Sequence, residues 1–340
     1  MISTRSISPR PFQRISFLVL AAILAGAGVF LHAVPATAQL GPYPVVTPKA
    51  QFDASIVKLD KDILWVRRVS SDGASMPQIG IATNDVLEIK VPPPAFFAIA
   101  EKALTAPAIP DELSNRLHSA LDKFILQFRQ LRRIPGIPCH DAMLLKGKLY
   151  AKKGMWKESL RPFEDVRINA NDPEMVRTAQ IWAGVAYEAC GEHNTAIEYL
   201  GGLELPEEEE ALMSQMLFAL GDAFYALENY DNALLSYLPL VVFYPYVGDN
   251  EARGMAKTLG CYAALKEWEP LYRTLRDIKA TYPDSIAAKT ADEYIEKYGD
   301  DLAKAGMFID GEKIVEDAAT ASVTGTTVDY SKPEDIPEAP

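Results

Sequence analysis

Cys139-His140-Asp141 sets a thiol, an imidazole and a carboxylate side by side. Those three types can make a nucleophile, a base and the group that orients the base. Working triads are assembled from residues far apart in the chain, whereas consecutive residues at a helix start project in different directions and cannot hand a proton along a line. No glycine-rich elbow or oxyanion loop accompanies the three. His118, His140 and His193 show none of the paired spacings that zinc uses, and His32 lies in the N-terminal segment. Glu207-Glu208-Glu209-Glu210 stands ahead of an apolar periodic stretch, which suits a helix start favoured by the dipole rather than a calcium site. No catalytic residue, metal or cofactor is expected, and the chain reads as non-enzymatic.

The chain is organised instead around a repeat. Gly147, Gly184, Gly221 and Gly260 recur at intervals of 37, 37 and 39 residues, and the same residue types recur around them. The first copy continues with Tyr150, Gly154, Trp156, Ser159 and Phe163, and the second with Tyr187, Gly191, Ala196 and Leu200. The third has Phe224, Tyr230, Ala233, Tyr237 and Pro245. The fourth has Trp268, Leu275 and Pro283, a turn one residue shorter, and Leu271 where a small residue is expected.

This pattern resembles the tetratricopeptide repeat, a helix-turn-helix unit of about 34 residues. The resemblance covers Met143 to Tyr282. It implies a mainly α fold, a solenoid of helical hairpins in which helix A crosses helix B closely. The four glycines are then packing positions, set against Ser159, Ala196 and Ala233, where a larger side chain would overpack the contact. In this family the concave wall is built from helix A. Carried onto this chain, that wall takes Asp141, Leu144, Lys148 and Lys152 from the first repeat and Thr178, Ile181, Val185 and Glu188 from the second. The third offers Gln215, Phe218, Asp222 and Tyr225, and the fourth Lys257 and Cys261. Phe218 and Tyr225, at i and i+7, are the expected aromatic anchors for a bound peptide, or else core rings.

The remaining chain frames the repeats. Arg5, Arg10 and Arg14, the apolar run Ile15 to Val34, and Ala36-Thr37-Ala38 make residues 1–38 a signal peptide cleaved after Ala38, with an uncleaved anchor as the alternative. Residues 39–94 hold a proline-marked extended leader and a small β module, with strands at Ile63–Val69, Met76–Ala82 and Val86–Val91 and a further one at Ile56–Leu59. Ser71-Asp72-Gly73 is a turn. Residues 95–138 form a degenerate helical hairpin that Pro135 and Pro138 close. The solenoid with its capping helix spans 139–299, and 300–340 is an acidic, largely disordered tail.

The net charge is −12, and −15 without residues 1–38. Such a surface repels phosphate backbones and anionic lipids, which excludes nucleic acid as a partner and leaves the membrane reachable only through another protein. The expected function is a periplasmic or envelope scaffold that binds another protein or peptide in its concave face, with no small-molecule cofactor. The layout is similar to exported tetratricopeptide proteins of the bacterial envelope. The alternative is an accessory subunit of an envelope enzyme or export complex that uses the β module, for which convergent ionisable groups near Trp65 and Arg67 would be the sign.

Overall fold

The computed structural model describes residues 40–69, 75–203 and 209–307. The expected signal segment, the expected Ser71-Asp72-Gly73 turn, Glu207, Glu208 and the tail from residue 308 lie outside the described residues. Described are eleven α-helices and one antiparallel sheet, and the chain divides into two compact units at Thr195/Ala196.

The first unit opens with β1 (Leu40–Val46), β2 (Gln51–Asp60), β3 (Ile63–Val69), β4 (Ser75–Ala82) and β5 (Glu88–Ile89), in sheet order β4-β3-β2-β1-β5. The stretch expected as an extended leader is therefore a full strand, paired from Val46↔Gln51 to Leu40↔Ile56 on one side and with β5 on the other. Pro44 lacks an N–H but still takes part, its carbonyl accepting from Lys90 N–H at 2.9 Å. Alternation decides the buried face. Val45, Ile56, Leu64, Val66 and Ile89 are buried, and they join one core with α1 (Ala95–Thr105), α2 (Asp111–Phe128) and α3 (Cys139–Lys152).

The sequence marks Pro135-Gly136 only as a helix breaker, yet this turn also bonds to the edge of the sheet. Ile89 N–H donates to the Pro135 carbonyl at 2.9 Å and Val91 N–H to that of Gly136 at 3.1 Å. Gly136 has φ +83°, and a Cβ there would stand against the Ile89 carbonyl and the Glu88 side chain. Glycine is the residue that fits both demands. The sheet is thus tied to the helices through one shared core as well as by covalent linkage.

The helical hairpins follow: α3 with α4 (Trp156–Asn169), then α5 (Pro173–Ala189) with α6 (His193–Leu200), which spans the division between units. The second unit holds α7 (Glu210–Ala226) with α8 (Tyr230–Val242), α9 (Asn250–Leu265) with α10 (Trp268–Thr281), and α11 (Ile286–Lys304). Several starts are capped as their sequence dictates. Asp172 accepts from Glu174 N–H ahead of Pro173, and Ser285 Oγ accepts from Ala288 N–H.

The backbone itself records the repeat. Met155, Glu192, Asn229 and Glu267 each donate an N–H to the carbonyl five residues back, at Tyr150, Tyr187, Phe224 and Tyr262, all at 2.9 Å. The residue before each donor is left-handed: Gly154 (φ +72°), Gly191 (+82°), Glu228 (+59°) and Lys266 (+59°). This is the closing bond of a Schellman turn, repeated in every hairpin. Gly306 (φ +82°) and the Met307-to-Leu302 bond repeat it once more at the end of α11, which therefore closes as another helix A.

Two of these turns place a side chain where glycine is at ease. Glu228→Gly and Lys266→Gly are expected to stabilise the protein by up to about 1 kcal/mol each, the relief of left-handed strain outweighing the extra freedom of the unfolded chain. Thermal melts of the single variants check this; a lowered melting temperature in both would count against the turn geometry.

Turn register also relocates the fourth packing position. Counted from the left-handed residue, the equivalents of Gly147 and Gly221 fall seven residues earlier, at Leu259 rather than Gly260. In the first and third hairpins a Cβ on the glycine would overlap the ring of Phe163 or Tyr237. The glycine thus makes room for an aromatic on helix B, and the small residues Ser159 and Ala233 sit beside that contact instead of against the glycine. In the fourth hairpin Leu259 and Leu275 occupy the same two places, both buried, and Leu271 fills where Ala233 stood. The apolar volume has moved from one large ring to several leucines. Gly260 faces the other way, toward the hydroxyls of Tyr225 and Tyr294. Gly184 is buried in α5.

Candidate protein-binding faces

Cys139-His140-Asp141 opens α3, but its environment works against catalysis. Cys139 is fully buried, and burial pushes its thiol up to about 12. A reactive cysteine needs the opposite shift. His140 is buried and its pKa is pushed down by loss of water. His118 is held elsewhere, its Nδ1 against the Ser114 carbonyl at 2.8 Å and its ring on Tyr150. Among the described residues no group of three His, Cys, Asp or Glu is placed to hold a metal ion. Glu210 lies in the first turn of α7, as the dipole argument requires.

All three cysteines are free. Cys261 resembles Cys139, buried and pushed up to about 12. Cys190, at the C-cap of α5, is half-buried. Iodoacetamide at neutral pH should therefore modify Cys190 first and reach Cys139 and Cys261 only on unfolding, because the thiolate is the nucleophile. Peptide mapping after timed alkylation checks the order, and early labelling of Cys139 would show its burial to be wrong.

In the first unit a cavity of about 350 Å³ lies around the segment from Arg132 to Pro138, with Asn171 and Asp172 on its far side. A second, of about 230 Å³, lies between Asp122, Lys146 and Arg161. Neither is lined by Trp65 or Arg67. The helix-A residues of this unit separate by burial. Ile181 is fully buried and belongs to the core. Lys152 is exposed, while Leu144, Lys148, Thr178, Val185 and Glu188 are half-buried. Lys148 Nζ lies 5.7 Å from the centre of the Trp182 ring, and Trp182 in turn stacks on Phe163. Burial lowers the Lys148 pKa, partly offset by Glu101. Trp182 was missed in the sequence because the wall positions of α5 fall one residue away, at Ile181. Helix periodicity alone could have pointed to it, since Thr178, Trp182 and Val185 lie at i, i+4 and i+7.

In the second unit the structure joins two of the expected residues directly. Lys257 Nζ donates to Asp222 at 2.7 Å, and the Tyr237 hydroxyl donates to the same carboxylate oxygen at 2.5 Å. Gln215 and Tyr225 are exposed on α7. Tyr225 meets Tyr230 edge-on at 5.3 Å. Phe218 is not exposed: it is buried in the core with Cys261, and the Arg253 guanidinium lies 3.8 Å from its ring centre. Of the two expected anchors, one is core and one is surface. Arg253 was the other residue missed, one turn before Lys257 on α9.

No helix among the described residues is long and apolar enough to cross a membrane. No protein-family model matches the chain, and no curated protein matches it. Among solved structures the chain is similar to BtubC (BKLC) from P. vanneervenii, with 13% identity and a TM-score of 0.43 over 66% of this chain and 99% of that one. It is also similar to the kinesin light chain nearly identical TPR-like repeats from Podosopora anserina, with 15% identity and a TM-score of 0.42 over 56% of this chain and 95% of that one.

Proposed function

We propose that the chain is an exported scaffold that holds another protein or peptide against the exposed faces of its A-type helices. One observation carries the reading. Tyr225, 39% exposed, stands one turn from Asp222, whose ion pair with Lys257 is only partly open to water. A half-exposed aromatic beside a pre-formed, half-desolvated charge pair is the composition of an interface anchor and its rim. The face on α3 and α5 has the same make-up, with Lys148 over Trp182 and Lys152 exposed beside them. Arg5, Arg10, Arg14 and the Ala36-Thr37-Ala38 site support delivery to the periplasm with cleavage after Ala38, so the partner is another envelope protein and the membrane is reached through it.

A photo-crosslinking amino acid at position 225, and as a control at Thr290 on α11, tests the reading in intact cells. A discrete protein adduct at 225 and none at 290 is expected. Adducts at 290 alone would move the binding site away from this face. N-terminal sequencing of the exported protein should begin at Gln39, and an intact Met1 in the membrane fraction would mean an anchored protein.

A further inference from the structure

Helix α8 carries an apolar stripe that its own packing does not use. Ala233, Leu234, Tyr237 and Leu240 hold its buried side. On the other side Leu235, Leu238 and Val242 recur at i, i+3 and i+7, and are 69%, 37% and 64% exposed. Phe243 and Tyr246, just past the helix end, are 71% and 96% exposed. By the usual sizes of these side chains the five expose on the order of 600 Å², as much as the largest patch on a typical monomer. Along the chain that carries the stripe the charge has one sign. From Leu227 to Ala252 the charged residues are Glu228, Asp231, Asp249 and Glu251, and the first cation beyond them, Arg253, lies over the Phe218 ring. Asp231 lies on the same helix face as Leu235 and Leu238, and Asp249 closes the turn beyond Tyr246.

We propose that this stripe is a second docking surface, for a basic amphipathic helix of a partner protein. Its apolar side would lie along Leu235, Leu238, Val242 and Phe243, and its lysines or arginines would reach the four flanking carboxylates. The anchors sit at helical spacing along about 12 Å of helix rise, which two to three turns of a partner helix would cover. Charge decides among the possible occupants. A second copy of this chain would bring the same four acids face to face, and an anionic lipid surface is repelled. The surface is independent of Tyr225 and Lys257, so it stands or falls separately from the faces proposed above.

The test uses a fluorescent helical peptide with leucine on one side and lysine on the other, and the same peptide with glutamate for lysine, titrated into the purified protein by anisotropy. The lysine peptide should bind saturably and the glutamate peptide should not. Leu235→Gln/Phe243→Gln, which leaves the net charge unchanged, should weaken binding at least about tenfold, while Asp231→Asn/Asp249→Asn should reduce its salt dependence. The two side-chain pairs are exposed, so melting curves should stay as in the parent. Equal binding by the glutamine variant would reduce the peptide to a probe of overall acidity and overturn the proposal. A dimer in sedimentation that the glutamine variant abolishes would give the stripe to a second copy. Flotation with phosphatidylcholine vesicles that the same variant abolishes would give it to a neutral lipid surface.

Discussion

Gly221→Ala should cost about 3 kcal/mol, far more than one added methyl normally does. The new Cβ would overlap Tyr237 Cε1. Rings can usually tilt away, but Tyr237 is 1% exposed and its hydroxyl is bound to Asp222, which also holds Lys257. Moving the ring therefore strains the core, at about 1–3 kcal/mol, and weakens a hydrogen bond to a charged group worth about 1.5–3 kcal/mol. Gly154→Ala is the control. Its φ of +72° imposes left-handed strain of about 1–2 kcal/mol, but nothing lies within 4 Å of the added carbon. Urea melts followed by circular dichroism should place Gly221→Ala well below Gly154→Ala. A double variant carries the argument further. The fourth hairpin already uses Leu259 and Leu275 at the equivalent places, so Gly221→Ala/Tyr237→Leu should be less damaging than the two changes summed. Strict additivity would show that glycine and ring do not share one space.

The parts of this fold that could be read in the sequence are those set by local chemistry. Repeated glycine, aromatic and small residues at fixed offsets announce helical hairpins, and all four hairpins of the repeat are present. Strand formers from Ile63 to Val69 announce β3. Pairing over distance was hidden. The leader at Leu40–Val46 is poor in strand signals because its prolines lower the propensity, and it is a strand only because β2 and β5 flank it. Pro135-Gly136 breaks a helix locally and, in the fold, also accepts two hydrogen bonds from β5 and its next residue but one. The fourth repeat shows a subtler limit. Gly260 carries the residue type of the pattern, while the shortened turn gives its role to Leu259. Register is set by where the turn closes, and the left-handed residue that closes it is glycine in the first two hairpins but Glu228 and Lys266 in the last two. The candidate faces were off by the same small amount. One residue along a helix is about 100° around it, enough to turn the expected Ile181 into core and leave Trp182 beside Lys148.

Phe218→Ala should unfold the second unit more readily, and Tyr225→Ala should not, although the sequence reads the two rings alike, as anchors for a partner or else as core. Phe218 is 5% exposed and packs with Ala233, Leu234, Tyr237, Leu240 and Cys261. Truncating a buried phenylalanine costs about 3–5 kcal/mol, through lost burial and the cavity left behind. Arg253 would also lose the ring beneath its guanidinium, a contact worth about 0.5–1 kcal/mol at an open site. Tyr225 is a different case. Its ring touches Tyr230 and the backbone at Gly260, but more than a third of it meets water. Its removal should cost no more than about 1–2 kcal/mol, since the covered part of the ring and a half-open hydrogen bond with Tyr294 are lost. Function should split the opposite way. At a temperature where both variants stay folded, Tyr225→Ala should lose the partner proposed for this face, while Phe218→Ala should retain it in proportion to its folded fraction. Melting curves and crosslink yield from position 215, on the same helix, read the two effects separately. If Tyr225→Ala melts as early as Phe218→Ala, both rings are core. If it stays folded and the yield from position 215 is unchanged, the partner is not anchored on Tyr225.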